Sequence, residues 1–147
     1  MGGQATEQHK YPWQVALVIG RYGKRPFCGG TLISAQHVLT AAHSTAKVTN
    51  PALIKVLLGK HITSDNSFTK VDVAELIKDP NNNSQTVYSD FAILRLAQPV
   101  TFSATLSPVC LPAAATTTYS GYTSTATGWG DLSSGGNQPT IPYRTSC

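Results

Sequence analysis

Charge is the scarcest resource in this chain: Asp, Glu, Lys and Arg make up 12% of its 147 residues, about half the ~25% of an average soluble domain. Eleven basic against seven acidic residues leave a formal net charge of +4, and the Lys and Arg are scattered. That spread predicts a solvated surface and no nucleic-acid partner, since a nucleic-acid footprint needs basic residues gathered on one face. No apolar run approaches the roughly 18 residues of a membrane-spanning helix, so no membrane partner is predicted. Met1-Gly2-Gly3-Gln4 carries no basic segment ahead of an apolar one, and the expectation is that no signal peptide is encoded here. Cysteine is also sparse. Cys28, Cys110 and Cys147 are an odd count without C-x-x-C spacing, which argues against a zinc ribbon or redox motif and implies a missing partner or a free thiol. A metal site from Cys28, His37 and His43 fits no zinc spacing. No metal and no cofactor is expected.

Hydrophobic residues reach 41%, and Thr, Ser, Asn and Gln take the place of charge, a balance suited to a β-rich extracellular domain. Short runs of β character recur between turn residues: Trp13 to Ile19, Phe27 to Ile33, His37 to Ala42, Ile54 to Leu58, Phe68 to Ile77 and Phe91 to Leu96. Trp13, Val15 and Leu17 alternate with Gln14 and Ala16, and Val71 and Val73 with Lys70 and Asp72, the two-residue period of a half-buried strand. Val71 to Lys78 also reads as a short helix, but turn signals on both sides favour the strand. Gly23-Lys24-Arg25-Pro26 and the segment Asp79 to Ser84 are loop signals. Six strands without a long helical period predict an all-β fold, an antiparallel barrel or sandwich. After Val109-Cys110-Leu111-Pro112 the composition turns to Ala, Thr and Ser, and Gly128-Trp129-Gly130 opens a further segment too short to bury a core of its own.

Two stretches carry chemistry. Leu39-Thr40-Ala41-Ala42-His43 ends a strand on a histidine behind small residues, and Asp90 opens the apolar run Phe91 to Leu96. A neutral imidazole can take a proton from a hydroxyl when a buried carboxylate fixes its tautomer and steadies the imidazolium. Taken singly, His43 is also a strand-end histidine and Asp90 a turn acid. The sequence offers this base and this acid but no obvious nucleophile.

Six ordered blocks resemble the trypsin-like (chymotrypsin-fold) serine proteases. Lys10-Tyr11-Pro12-Trp13-Gln14-Val15 and Cys28-Gly29-Gly30-Thr31-Leu32-Ile33-Ser34 are similar to the family's first two strands. His37 to His43 is similar to the block of the catalytic histidine, and Ser89 to Leu96 to that of the catalytic aspartate. Val109 to Pro112 and Ala126 to Gly130 are similar to the interdomain strap and an early second-barrel strand. The resemblance covers the chain up to about Gly136. It implies a six-stranded antiparallel barrel over 1–108, a connector and start of a second barrel over 109–127, and an incomplete second-barrel segment over 128–147. It further implies a secreted serine endopeptidase with His43 as general base and Asp90 as its orienting acid, and polypeptide substrates and protein protease inhibitors as partners.

The chain departs from that pattern in three places. The family's nucleophile segment Gly-Asp-Ser-Gly-Gly does not occur, and Gly130 to Gly136, with Ser133 and Ser134, reads as a surface loop instead. The expectation is a fragment inactive as it stands, with a non-catalytic binding homologue as the alternative and an unrelated β-barrel binding module as the remote one. Met1 stands where the family's mature amino terminus begins Ile-Val before Gly-Gly. Ser44 replaces the cysteine that in the family pairs with the counterpart of Cys28, and Cys110 pairs there with a cysteine outside this chain. A Cys110–Cys147 bridge has no support. Gly59 to Thr69 holds only Asp65 as an acid, so calcium is not predicted. Asn82-Asn83-Ser84 is a formal glycosylation sequon.

Overall fold

The computed structural model describes residues 3–20, 22–23, 25–62, 66, 68–83, 85–113 and 118–146. Asp65, Ser84 and Cys147 lie outside the described residues, as do Met1 and Gly2. Nine strands form among the described residues: β1 (Gln4–Ala5), β2 (Gln14–Ile19), β3 (Cys28–Ser34), β4 (His37–Thr40), β5 (Ile54–Leu58), β6 (Thr69–Lys78), β7 (Ala92–Leu96), β8 (Thr125–Gly128) and β9 (Tyr143–Ser146). Six of them close an antiparallel barrel in the order β2-β3-β4-β7-β6-β5, with β5 returning to β2. Its strands match the six sequence runs to within two residues at each end, and the 69–78 segment is a strand.

Alternation explains the barrel interior. Val15 and Leu17 of β2, Val56 and Leu58 of β5, and Leu94 and Leu96 of β7 point inward with Leu32 and Val38, all at most 1% exposed. On β6 a register shift between Val73 and Glu75 resets the alternation, so Val73 and Leu76 both meet the core. Such a bulge adds one residue and turns the following side chains over. Gly30 allows the close approach of β3 to its neighbours: a Cβ there would sit 2.9 Å from Val38 Cγ1 and 3.0 Å from the Leu39 carbonyl oxygen.

One feature of the alternation differs from expectation. Ala16 and Val18 lie on the outer face of β2, yet both are fully buried with Leu57 under Trp129. The second sheet, β1-β9-β8, supplies that cover. Trp129 Nε1 donates to the His61 carbonyl at 3.1 Å, and Thr127 Oγ1 donates to Gln14 Oε1 at 2.5 Å. Nothing in the local pattern of β2 announces this, because the covering residues lie more than a hundred positions later.

Candidate active site

β4 and β7 are neighbours, with Thr40 opposite Ala92. The three residues after Thr40 and the two before Ala92 therefore rise from the same end of the barrel, and this register brings together His43 and Asp90, 47 positions apart in sequence. Ala42, 2% exposed, packs the chain down before it turns into a single 3-10 turn, His43–Thr45. Thr45 anchors that turn: it is fully buried and its Oγ1 donates to the Ala42 carbonyl at 2.9 Å.

On the other side, the 79–91 loop is pinned from within. Asn82 Nδ2 donates to the carbonyls of Tyr88 (3.3 Å) and Ser89 (3.1 Å), and the Asn83 N–H donates to Tyr88 O at 3.0 Å. Val87 and Ser89 take left-handed backbone conformations (φ 56° and 50°), which costs of order 1–3 kcal/mol per non-glycine residue and marks a loop held in place by its surroundings. The sequon's acceptor is thus the amide that ties this loop, and a glycan on Asn82 Nδ2 would compete with both bonds.

Asp90 holds His43 at two points. Its Oδ1 accepts the His43 backbone N–H at 2.8 Å, and its Oδ2 lies 2.5 Å from Nδ1. The side-chain bond from His43, followed by the backbone bond, holds the Asp90 carboxyl below its ordinary value of 3.8, against the opposing effect of desolvation. An ionised carboxylate can only accept, so Nδ1 carries the hydrogen, and in the neutral imidazole Nε2 presents its lone pair. The Asp90 side chain is 18% exposed and the His43 side chain 67%; the acid is sheltered and the base is open. A recess of about 310 Å³ adjoins them, walled by Ala42, Ala46, Lys78, Asn82 and Val87.

A family model described as Trypsin matches residues 1–146. The chain belongs to the trypsin family. The closed six-stranded barrel with a second, incomplete sheet is the fold expected from the resemblance, and the family is one of serine-type peptidases acting on polypeptides.

Within this trypsin-family chain the other candidates fall elsewhere. His37 Nδ1 is 2.8 Å from Ser34 Oγ, a turn contact at the far end of β4. His9 and His61 face each other with ring centroids 6.4 Å apart, away from the pair. Among the described residues, no group of three His, Cys, Asp or Glu side chains is placed to hold a metal ion. Ser133 and Ser134 lie in an exposed turn closed by Gly136 N–H to the Ser133 carbonyl at 3.0 Å. Cys28 and Cys110 are free thiols. Among the described residues no helix is long and apolar enough to cross a membrane.

Sequence reasoning passed over one contact. Ser44 is not merely a lost cysteine: its Oγ lies 2.7 Å from Cys28 Sγ and 3.5 Å from His43 Nε2. The available signal was a hydroxyl placed directly after the candidate base.

Proposed function

We propose that His43 and Asp90 are the general base and orienting acid of a secreted serine endopeptidase, with polypeptides as substrates and protein protease inhibitors as ligands of the same cleft. The observation that carries this reading is the two-point hold of Asp90 on His43, at the ring and at the backbone. A carboxylate bound only to the ring would leave the imidazole free to pivot; the second bond removes that freedom and keeps Nε2 aimed outward as the proton acceptor. Hydrolysis then follows the acyl-enzyme route, in which the base takes the proton of a serine hydroxyl and returns it to the leaving amine. We read residues 1–108 as the barrel that carries base and acid, 109–127 as the strap, and 128–147 as the beginning of a second barrel.

No Gly-Asp-Ser-Gly-Gly segment occurs in the 147 residues, and on this reading the chain alone does not turn over peptide bonds. The test is to sequence the native transcript through both ends, express its product and assay it on a peptide library. A product that carries the segment in frame is expected to cleave, and Asp90→Asn is expected to lower its kcat about 10⁴-fold, as an amide in place of the orienting acid does in triads of this type. A native product that ends at Cys147, or one unaffected by that substitution, would overturn the reading; the first result moves the chain to a non-catalytic binding homologue.

A further inference from the structure

The row of side chains beyond His43 contains a nucleophile that the peptidase reading does not use. With Nδ1–H committed to Asp90, Nε2 can only accept. The Ser44 hydroxyl, 3.5 Å away, is therefore the donor in that contact, and the Cys28 thiol, 2.7 Å from the same oxygen, is left to donate to it. All the protons of the row Cys28–Ser44–His43–Asp90 point towards the carboxylate. A hydroxyl placed between a general base and a second hydrogen-bond donor is set up for attack: one neighbour removes its proton and the other steadies the charge that develops on oxygen. The 3.5 Å separation is long, as base–nucleophile contacts commonly are before a reactant binds.

We propose that Ser44 is an acyl- and phosphonyl-accepting nucleophile served by His43, which makes this chain reactive towards small activated esters and fluorophosphonates. The proposal rests on the reading of His43 and Asp90 as base and orienting acid. With an activated ester, Ser44 Oγ bonds to the carbonyl carbon as its proton passes to His43 Nε2. The C–O bond to the leaving group breaks, the leaving oxygen departs as an anion with the electron pair, and the imidazolium gives its proton to water. Water, deprotonated by the same nitrogen, then hydrolyses the acyl-serine, so the net reaction is ester plus water to acid plus alcohol. The open position of His43 selects for leaving groups that depart without assistance. Amides, whose amine must be protonated in an enclosed cleft, are excluded.

The experiment is to treat the 147-residue protein with an alkyl fluorophosphonate and locate the adduct by mass spectrometry of its peptides. In that reaction the Oγ–P bond forms, fluoride leaves, and the Ser44 proton passes through His43 to water. One adduct on Ser44 is expected, formed at least about 100-fold more slowly in His43→Ala and absent in Ser44→Ala. An adduct on Cys28 or on another side chain, no adduct, or labelling of Ser44 that is insensitive to His43→Ala would overturn the proposal. The wild-type adduct position needs no variant to fold. The same sample is examined by NMR for the downfield imidazole proton of the His43–Asp90 bond. Its presence without a Ser44 adduct sinks the nucleophile and leaves the pair standing; its absence sinks both.

Discussion

The closed barrel and the open sheet of this chain differ in both residues and packing: Val, Leu and Ile fill strands such as β2, β5 and β7, and none occurs in β1, β8 or β9. In the barrel every strand has two neighbours, and the inward residues of β2, β5 and β7 are sealed from water. In the second sheet β8 pairs with β9 alone, its burial is slight, and Leu111, Tyr119 and Tyr122 stand 58%, 55% and 74% exposed on the segment leading to it. Closure removes strand edges and gives one continuous core; a three-stranded sheet of two- and four-residue strands can do neither. The sheet instead leans on the barrel through Trp129, Thr127 and Gln138, whose Oε1 accepts from Arg25 Nε (2.8 Å) and whose Nε2 donates to the Pro26 carbonyl (3.3 Å). The barrel holds its interior by itself, and the sheet packs on its outer face, where Trp129 covers Ala16, Val18 and Leu57.

That asymmetry has a sharp test in two leucines. Leu94→Ala in β7 empties a fully buried position at the centre of the barrel and is expected to cost about 2–5 kcal/mol. Leu111→Ala, on the exposed connector, is expected to stay within about 0.5 kcal/mol of the parent. Urea unfolding followed by tryptophan fluorescence measures both. Equal losses at the two positions would mean that the connector is part of the same cooperative core, and the comparison would fail.

Two glycines sharpen it further. Gly30→Ala forces a methyl against Val38 Cγ1, the Leu39 carbonyl and Val15 Cγ2, all within 3.1 Å and two of them backbone-linked neighbours in a closed barrel. Strands locked on both sides cannot step apart, so a loss of about 1–3 kcal/mol is expected. Gly130→Ala, beside Trp129, meets nothing within 4 Å and is expected to be close to neutral. A thermal melt in which Gly130→Ala is the more damaging change would place the tighter packing in the wrong region.

How much of this could be read from the chain divides along the same line. The barrel strands were legible because short β-type runs recur between turn residues, several with their own two-residue alternation, and Thr40 and Ala92 lie in runs whose ends are marked by His43 and Asp90. His43 and Asp90 stood out as a candidate pair for a related reason: their flanking blocks are local, and the structure brings the two side chains into contact. What was not legible depends on distant partners. β1 is two residues long and is a strand only because Gln4 and Ala5 pair with Arg144 and Tyr143. Ala16, read as an outward position, is buried because Trp129 reaches it. Ser44 was read for the bridge it cannot make, while its contacts with Cys28 and His43 depend on the path of the 3-10 turn, which a single residue change does not announce.

The smallest effect expected is the most informative about the site, because it separates the rim of the barrel from the open region by pH alone. Asp90 has its folded-state carboxyl held below 3.8 by the His43 bonds. Between that lowered value and 3.8 the unfolded chain binds more protons than the folded one, so the contribution of Asp90 is complete above about 3.8 and is lost as pH falls through the folded value. The melting temperature of the wild type should therefore exceed that of Asp90→Asn at about pH 5, and the margin should shrink as pH falls below 3.8. Asp131→Asn, on an exposed residue of the open region, should stay within about 0.5 kcal/mol of the wild type at neutral pH. A margin between wild type and Asp90→Asn that persists undiminished in acid would mean that the carboxylate charge is not what holds His43, and that packing of the 79–91 loop fixes the ring instead.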